Sequence, residues 1–316
     1  MILRLVLRRI VLGFITLVVV SVMVFAGTEI LPGDVAEAIL GQDSAPDTVA
    51  ALRKELGLDK PGYVRYFQWL TGMFTGHLGE SLATGREISN IIALRLPMTL
   101  LLGGVTAIIA VPLALTLGLL AAMYPGTWFD RSVTTGTLCF ISGPEFLIAT
   151  LLVMLFAVSL HWLPAIAYLS EGATFQQMAR ALALPVMTLT AAILAPMTRM
   201  TRSAVINVLT SPAVEMAILK GVPRGRIIFR HALPNALSPI FNVIAINLAY
   251  LVSGVVVVEV IFAYPGMAKL MVDGVSYRDI PTVQACAMLF CSFYVGLNLL
   301  ADIFSIMANP RLRHPK

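Results

Sequence analysis

Three acidic residues of this sequence lie inside strongly apolar stretches, where a charged side chain is energetically unfavourable. They are Glu145, Glu259 and Asp302, and Asn298 precedes Asp302 by one helical turn, so these two share a helix face. A carboxylate at mid-bilayer costs roughly 2.5 to 3.5 kcal/mol on insertion scales. Each acid therefore indicates either a polar pathway or a structural contact, such as an interhelical hydrogen bond or a subunit contact, and both interpretations stay open.

Other kinds of chemistry find no support in the residue pattern. The four histidines are scattered without an HExxH or other ligand pair, and the three cysteines lie in apolar segments without metal-site spacing. No GxxxxGK[ST] phosphate loop and no nucleophile with a neighbouring base is present. We expect no catalytic residue, no metal site, no cofactor bound by this chain and no nucleotide site.

A second informative feature is the stretch from Ser211 to Pro234, which separates two apolar segments. Ser211 is a favourable N-cap, Pro212 suits the first helical position, and Gly221 can take the left-handed conformation that ends a helix. The sequence predicts a helix of about two turns, with one apolar face. That face, expected to be offered to a partner, consists of Val214, Ala217 and Ile218.

A further short helix is predicted to begin at Pro223. It would carry Arg224, Arg226 and Arg230, before Leu233 and Pro234 lead into the next apolar segment. These arginines equally favour a loop resting on anionic lipid headgroups. From the residues alone, a docking element and a lipid-bound loop are both open.

The elements that must position these residues are membrane-spanning helices. Hydrophobic residues make up 58% of the chain and charged residues only 12%, against about 25% charged in soluble domains. Six stretches approach the ~20 residues needed to cross a bilayer, and Pro185 and Pro196 break the fourth. They are Ile10–Ala26, Met98–Met123, Thr134–Leu160, Ala181–Met200, Leu237–Ala263 and Val283–Ala308.

The distribution of positive charge predicts the orientation. More than half of the 22 lysines and arginines fall at the two ends, in the second loop and in the fourth loop, all on one side of a six-span protein. That side should be cytoplasmic, with both termini on it. The basic start could also belong to a cleavable signal peptide, but the apolar run is long for one. The net charge of +5 is explained by this bias, so membrane lipid and no nucleic acid is the expected partner.

The region between the first two spans is long enough for a small extracytoplasmic lobe. A helix capped by Asp47 and ended by Gly57 would place Val49, Leu52 and Leu56 on one face. The aromatic stretch 63–74 would lie at the membrane interface or against the bundle.

The EAA-like segment, residues 211–234, resembles the EAA signature of permease subunits of ABC importers. Glu215–Gly221 is followed by His231–Pro234, and the matching positions are Glu215, Ala217, Gly221, Leu233 and Pro234. Met216 departs from the usual second position, and Ala213 and His231 also depart from the pattern.

Further fragments narrow the resemblance. In order along the chain they are LPGD, LGLDKP, RLPMTL, PNALSPI, VVVEVIFAYPG, RDIPTVQ and NPRLR. Together they cover nearly the whole chain and resemble the B-type permease subunits of dipeptide, oligopeptide and nickel importers, although this chain has PGMA where PGLG is common.

The resemblance implies an all-α polytopic membrane protein with six transmembrane helices and the type I ABC importer permease fold. Its divisions would be 1–26 (N-terminus and first helix), 27–97 (extracytoplasmic insertion), 98–308 (five-helix core with a coupling loop at 201–236) and 309–316 (tail). ATPase coupling would rest on Glu215, Met216, Ala217, Gly221, Leu233 and Pro234. The pathway or a subunit contact would involve Glu259, Asp302, Asn298 and Glu145.

The implied partners are a second homologous permease, two cytoplasmic ABC ATPases that hold ATP and Mg, and an extracytoplasmic solute-binding protein, at the bacterial inner membrane. The chain would form half of the pathway for short peptides or a related small solute such as a nickel chelate or glutathione. The alternative is an ion-coupled secondary transporter without ATPase partners, in which Glu259 and Asp302 hold the ion. The exposed fourth loop and the lack of a visible inverted repeat speak against it.

Overall fold

The computed structural model describes residues 2–30, 45–55, 59–168, 172–227, 230 and 233–308. Within these ranges the secondary structure is helical, apart from a single bridge between Glu80 and Glu87. The helices are α1 (Ile2–Ile30), α2 (Pro46–Glu55), α3 (Gly62–Thr75), α4 (Ile88–Met123), α5 (Trp128–Ser142), α6 (Glu145–Leu152, continued by π-helical turns over Val153–Ser159), α7 (Phe175–Leu209), α8 (Pro212–Leu219), α9 (Arg224–Arg226), α10 (Leu233–Ile261), α11 (Met267–Ser276) and α12 (Ile280–Ala308).

The all-α polytopic fold is confirmed. By length and composition, α1, α4, α7, α10 and α12 can each cross a membrane, and α5 with α6 makes a sixth span if the bent pair counts as one. The third predicted span, Thr134–Leu160, is wrong as a continuous segment, because α5 and α6 meet at 101°. Pro144 disfavours helical geometry at the residue before it, and Gly143 is accordingly extended, with φ −95° and ψ 136°.

Pro185 and Pro196 do not break α7, contrary to the sequence interpretation. Both prolines lie inside one continuous helix of 35 residues. Within a membrane, neighbouring helices and local adjustments can compensate for the hydrogen bond that a proline removes. The helix begins at a capping box, in which the Thr174 hydroxyl accepts from the Gln177 N–H and the Gln177 amide accepts from the Thr174 N–H.

The chain forms two compact units. The first comprises Met1–Gly13, Leu100–Tyr264 and Tyr294–Lys316. Its core lies between α4, α7 and α10, where Ala114, Met197 and Val243 are buried together. Gly118 shows how closely α4 approaches α7, since a Cβ there would stand 2.7 Å from the Thr198 carbonyl oxygen. Small residues permit this contact between membrane helices.

The second unit comprises Phe14–Thr99 and Pro265–Phe293. Its core contains Ile88, Ile92, Met267, Ala285 and Cys286. Asp279 fastens the loop before α4, because its carboxylate accepts hydrogen bonds from the Ser81 hydroxyl, the Leu82 N–H at 3.1 Å and the Thr282 hydroxyl at 2.8 Å. The RDIPTVQ fragment therefore serves this unit's internal structure.

One face of α3 packs on α1, as one of the two predicted arrangements requires. The Tyr66 hydroxyl lies 2.8 Å from Ser21 Oγ, and Phe25 contacts the rings of Tyr66 and Trp69. The predicted cap of α2 is wrong, because α2 begins at Pro46 and Asp47 lies in its first turn. Leu56 and Gly57 are outside the described residues.

Candidate functional site

The EAA-like segment contains the predicted short helix, α8, and its start shows how that helix is fixed. Ser211 is extended, with φ −74° and ψ 150°, and its carbonyl oxygen accepts from the N–H groups of Val214 and Glu215, each at 3.0 Å. Ser211 therefore occupies the N-cap position, as the sequence predicts, although its hydroxyl makes no capping hydrogen bond. Pro212 occupies the first turn, where its missing N–H costs nothing.

The end of α8 is closed by a Schellman motif centred on Gly221. Gly221 has a φ of 72°, its N–H donates to the Ile218 carbonyl at 2.9 Å, and the Val222 N–H donates to the Ala217 carbonyl at 3.2 Å. Apart from its own chain neighbours, no atom of the described residues lies within 4 Å of a Cβ built at Gly221. Glycine is therefore required here by backbone conformation and not by lack of space.

The exposed residues of α8 are not those of the predicted apolar face, Val214, Ala217 and Ile218. Val214 and Ala217 are buried against Ile227, and Val222 packs on the same cluster. The sequence interpretation is wrong for these two residues because the chain folds back at Gly221, so residues 222–227 cover that face. Ile218 is 58% exposed as predicted.

The exposed face of α8 is instead a compact apolar patch. Met216 is 54% and Leu219 75% exposed, Ile218 adjoins them, and Glu215 is exposed beside them. A cavity of about 360 Å³ lies next to α8, lined by Val214, Ile218, Val222 and Ile227 together with Ala122, Met123, Pro125 and Leu209. We call Met216, Ile218 and Leu219 the α8 patch.

The remaining residues of the EAA-like segment lead into α10. The predicted second helix is the single turn α9, Arg224–Arg226, and both Arg226 and Arg230 are exposed. α10 starts at Leu233, and Pro234 is exposed in its first turn, as the sequence predicts. His231 lies outside the described residues.

An ion pair that the sequence did not reveal lies between α5 and the end of α7, the helix that leads into α8. Arg202 donates from Nε to Asp130 Oδ1 at 2.6 Å and from Nη2 to Oδ2 at 2.8 Å. Asp130 is only 4% exposed and also accepts from the Gly126 N–H at 2.8 Å. Such bidentate pairs hold both partners in a defined geometry.

The structure does not bring the four predicted pathway residues together. Glu259 is fully buried. Its backbone carbonyl accepts from the Tyr264 N–H at 2.9 Å. Burial, and then the charge of Glu259, raises the pKa of the Tyr264 hydroxyl far above its ordinary value. Glu259 thus lies inside the fold and away from any exposed surface.

Asn298 and Asp302 share a helix but each has a different partner. Asp302 forms an ion pair with Arg9 of α1 at 2.8 Å. The Asn298 amide donates to the Tyr294 carbonyl of its own helix at 2.9 Å. The predicted shared face therefore does not produce a joint polar site.

Among the four predicted pathway residues, Glu145 is the one that lines a described cavity. It is the first residue of α6, at the bend, and its Oε1 is buried without a hydrogen-bond partner among the described residues. It lines a cavity of about 580 Å³, which we call the bend cavity, with walls from α5, α6, α7 and α10. Across the part of the chain that the structure describes, no group of three or more His, Cys, Asp or Glu residues could hold a metal ion.

Comparisons with known proteins cover almost the whole chain. The family model described as "Binding-protein-dependent transport system inner membrane component" matches residues 114–314, and a model for the N-terminal part of such components matches residues 2–103. A putative peptide transport system permease protein of Brucella abortus is 36% identical over 311 residues, covering 98% of this chain and 99% of that protein.

Two further relatives are named for different solutes. A probable peptide ABC transporter permease protein of Sinorhizobium fredii is 34% identical over 309 residues, covering 98% of this chain and 99% of its own length. A glutathione transport system permease protein of Salmonella paratyphi A is 36% identical over 310 residues, covering 98% of each chain.

Proposed function

The chain belongs to the family of binding-protein-dependent transport system inner membrane components. We propose that α8 is the element through which partner ATPases move the chain. The chain is a permease subunit of an ABC importer and spans the membrane. A transport permease subunit has no catalytic activity of its own. What we propose is the position at which the partner ATPases act on this subunit.

The α8 patch is the observation that carries this proposal. Three large apolar side chains stand exposed on a short helix whose two ends are fixed by hydrogen bonds and whose other face is buried. A rigid apolar helix face flanked by an acid fits a groove on a partner protein. Lipid headgroups would favour the arginines instead, and these follow Gly221 in the sequence, outside α8.

The proposed assembly contains this chain, a second homologous permease, two cytoplasmic ABC ATPases that bind ATP and Mg, and an extracytoplasmic solute-binding protein. The positive-inside distribution supports placing both termini and the EAA-like segment in the cytoplasm of a bacterial cell. The ATPases would close on ATP, move α8 together with α7, and open the paired permeases toward the binding protein.

The proposed solute is a short peptide or a related compound such as glutathione. The support is that similar permeases are named for peptide and glutathione transport. In this arrangement the chain supplies half of the pathway, and the binding protein selects the solute.

The test is to tag the chain in its native host, solubilise the membranes gently and identify the copurifying proteins by mass spectrometry. Two ATPases and a second permease should be recovered, and Leu219→Ser should reduce the ATPase yield several-fold by removing the most exposed member of the α8 patch. Arg226→Gln is the matched control, and it should retain the ATPases. A chain that transports solute while recovered alone would overturn the proposal and support an ion-coupled carrier.

A further inference from the structure

The Glu145 carboxylate lies in a space that α10 leaves open for it. A Cβ built at Gly254 would stand 2.7 Å from Glu145 Oε1 and 3.3 Å from Oε2, so only glycine admits the carboxylate at this distance. Oε1 is buried and accepts no hydrogen bond from the described residues. A buried carboxylate oxygen without a donor is costly. A ligand that brings a donor or a positive charge would remove that cost.

The bend cavity beside Glu145 has the size of a small-molecule site. Its volume of about 580 Å³ falls in the usual range for such sites, about 300 to 1,000 Å³. Glu145 is the only Asp, Glu, Lys, Arg or His among its lining residues, whose polar side chains otherwise come from Asn247 and Tyr250. An apolar cavity with one carboxylate and two exposed aromatic rings, those of Phe140 and Tyr250, favours an organic cation over an anion.

We propose that the bend cavity binds the ammonium end of the transported solute, with Glu145 as its counter-ion. The ligand class is a small molecule with a free primary amine, as at the amino terminus of a short peptide. A bare metal ion fits less well, since the lining has no second carboxylate, His or Cys. This inference rests on the proposed import of short peptides and assigns part of the recognition to the membrane chain itself.

The experiment measures charge selectivity at a reporter cysteine in the cavity. Ile246→Cys, an exposed lining position that leaves the carboxylate and the aromatic rings in place, is introduced after the natural cysteines are replaced by Cys139→Ser, Cys286→Ala and Cys291→Ala. Washed membrane vesicles of the native host are used. The modification rates by the cationic reagent 2-aminoethyl methanethiosulfonate and the anionic reagent 2-sulfonatoethyl methanethiosulfonate are compared. We expect Glu145→Gln to lower the cation-to-anion rate ratio about ten-fold, since a nearby unit charge acts oppositely on the two reagents.

Two further variants control for misfolding and for the general effect of removing a negative charge from the chain. Gly254→Ala should also lower the ratio, because its methyl group displaces the carboxylate without removing it. Asp302→Asn is the matched control, since that acid is paired with Arg9 and does not line the cavity. A ratio unchanged in both Glu145→Gln and Gly254→Ala would overturn the proposal.

The ligand class is tested with two probes in the same vesicles. Dialanine, which has a free ammonium group, should slow modification of the reporter cysteine, whereas N-acetylalanine should not. Protection by both or by neither would overturn the assignment of an ammonium ligand. Because labelling needs neither ATP nor uptake, its failure would leave the copurification test of the importer untouched, and failure of that test would leave this result standing.

Discussion

Arg202 holds Asp130 through two hydrogen bonds, at 2.6 and 2.8 Å, although the two residues are 72 positions apart in the chain. The pair joins the first turn of α5 to the last turns of α7. α8 begins three residues after α7 ends at Leu209. On the proposed coupling role of α8, a movement of α8 that shifts the end of α7 would act on α5 through this ionic contact as well as through apolar packing.

Asp130→Asn should destabilise the protein, because it leaves the Arg202 guanidinium facing a neutral partner. The Arg202 side chain keeps some contact with solvent, so loss of the charged hydrogen bonds should cost about 1.5 to 3 kcal/mol, and the accompanying loss of alignment should lower solute uptake per ATP hydrolysed. Thermal unfolding in detergent and coupled uptake measurements would show both effects.

The control for that ion pair is Lys269→Gln. Lys269 and Asp273 form an i,i+4 pair that is partly exposed on both sides, and such pairs contribute only about 0.3 to 0.5 kcal/mol. Equal losses in Asp130→Asn and Lys269→Gln would contradict a special role for the Asp130–Arg202 pair.

Substitutions of Gly221 should follow the cost of a left-handed backbone and not side-chain volume. Asn tolerates this conformation best, Ala costs about 1 kcal/mol, and Val costs more. Since no atom of the described residues beyond the chain neighbours lies within 4 Å of the built Cβ, we expect steric clash not to alter this order. Uptake should fall in the series Gly221→Asn, Gly221→Ala, Gly221→Val while membrane insertion, measured by immunoblot, stays constant. Identical uptake in all three would show that the Schellman motif is dispensable.

Gly118→Ala should force α4 away from α7. The added methyl group would stand 2.7 Å from the Thr198 carbonyl oxygen and 2.8 Å from the Thr201 Cβ, and overpacking of this kind typically costs about 1 to 3 kcal/mol. Gly104→Ala, on the same helix with nothing within 4 Å of its built Cβ, should change the melting temperature little or raise it. Thermal melting curves of Gly118→Ala and Gly104→Ala measure this difference. Coincident curves would contradict the close approach of α4 to α7 at Gly118.

Asp279→Ala should loosen the loop before α4, because it leaves three donors without their acceptor: the Ser81 hydroxyl, the Leu82 N–H and the Thr282 hydroxyl. An unsatisfied buried polar group costs about 1 to 3 kcal/mol. Limited proteolysis within residues 76–87 should become faster. Asp273→Ala removes a more exposed acid of the same unit and should leave the digestion rate unchanged; faster digestion in both would point to a general effect.

The sequence was informative where a local signal decides structure. Pro212 and Gly221 mark the two ends of α8, and long apolar runs mark five of the helices, because helix ends and hydropathy depend on neighbouring residues. The exposed face of α8 was predicted wrongly, since Val214 and Ala217 are covered by Ile227 only after the chain turns back. Local periodicity contains no information about such a return.

The partners of the acidic residues were also not predictable from the local sequence. The occurrence of Glu145, Glu259 and Asp302 in apolar segments was evident, yet the partner of Asp302 is Arg9, near the other end of the chain. The partner of Asp130 is Arg202, 72 positions away. The signal for the bend was present in Gly143 and Pro144, but its size of 101° depends on how α6 packs against α7 and α10.

The bend between α5 and α6 has a consequence for how the protein is made. α5 has fifteen residues, which reach about 22 Å at 1.5 Å per residue, short of the ~30 Å of hydrocarbon in a bilayer. A nascent chain that ended at Gly143 would therefore hold its newest segment too weakly to stay across the membrane. We expect α5 to become stably inserted only together with α6, which would link synthesis and folding at this point of the chain.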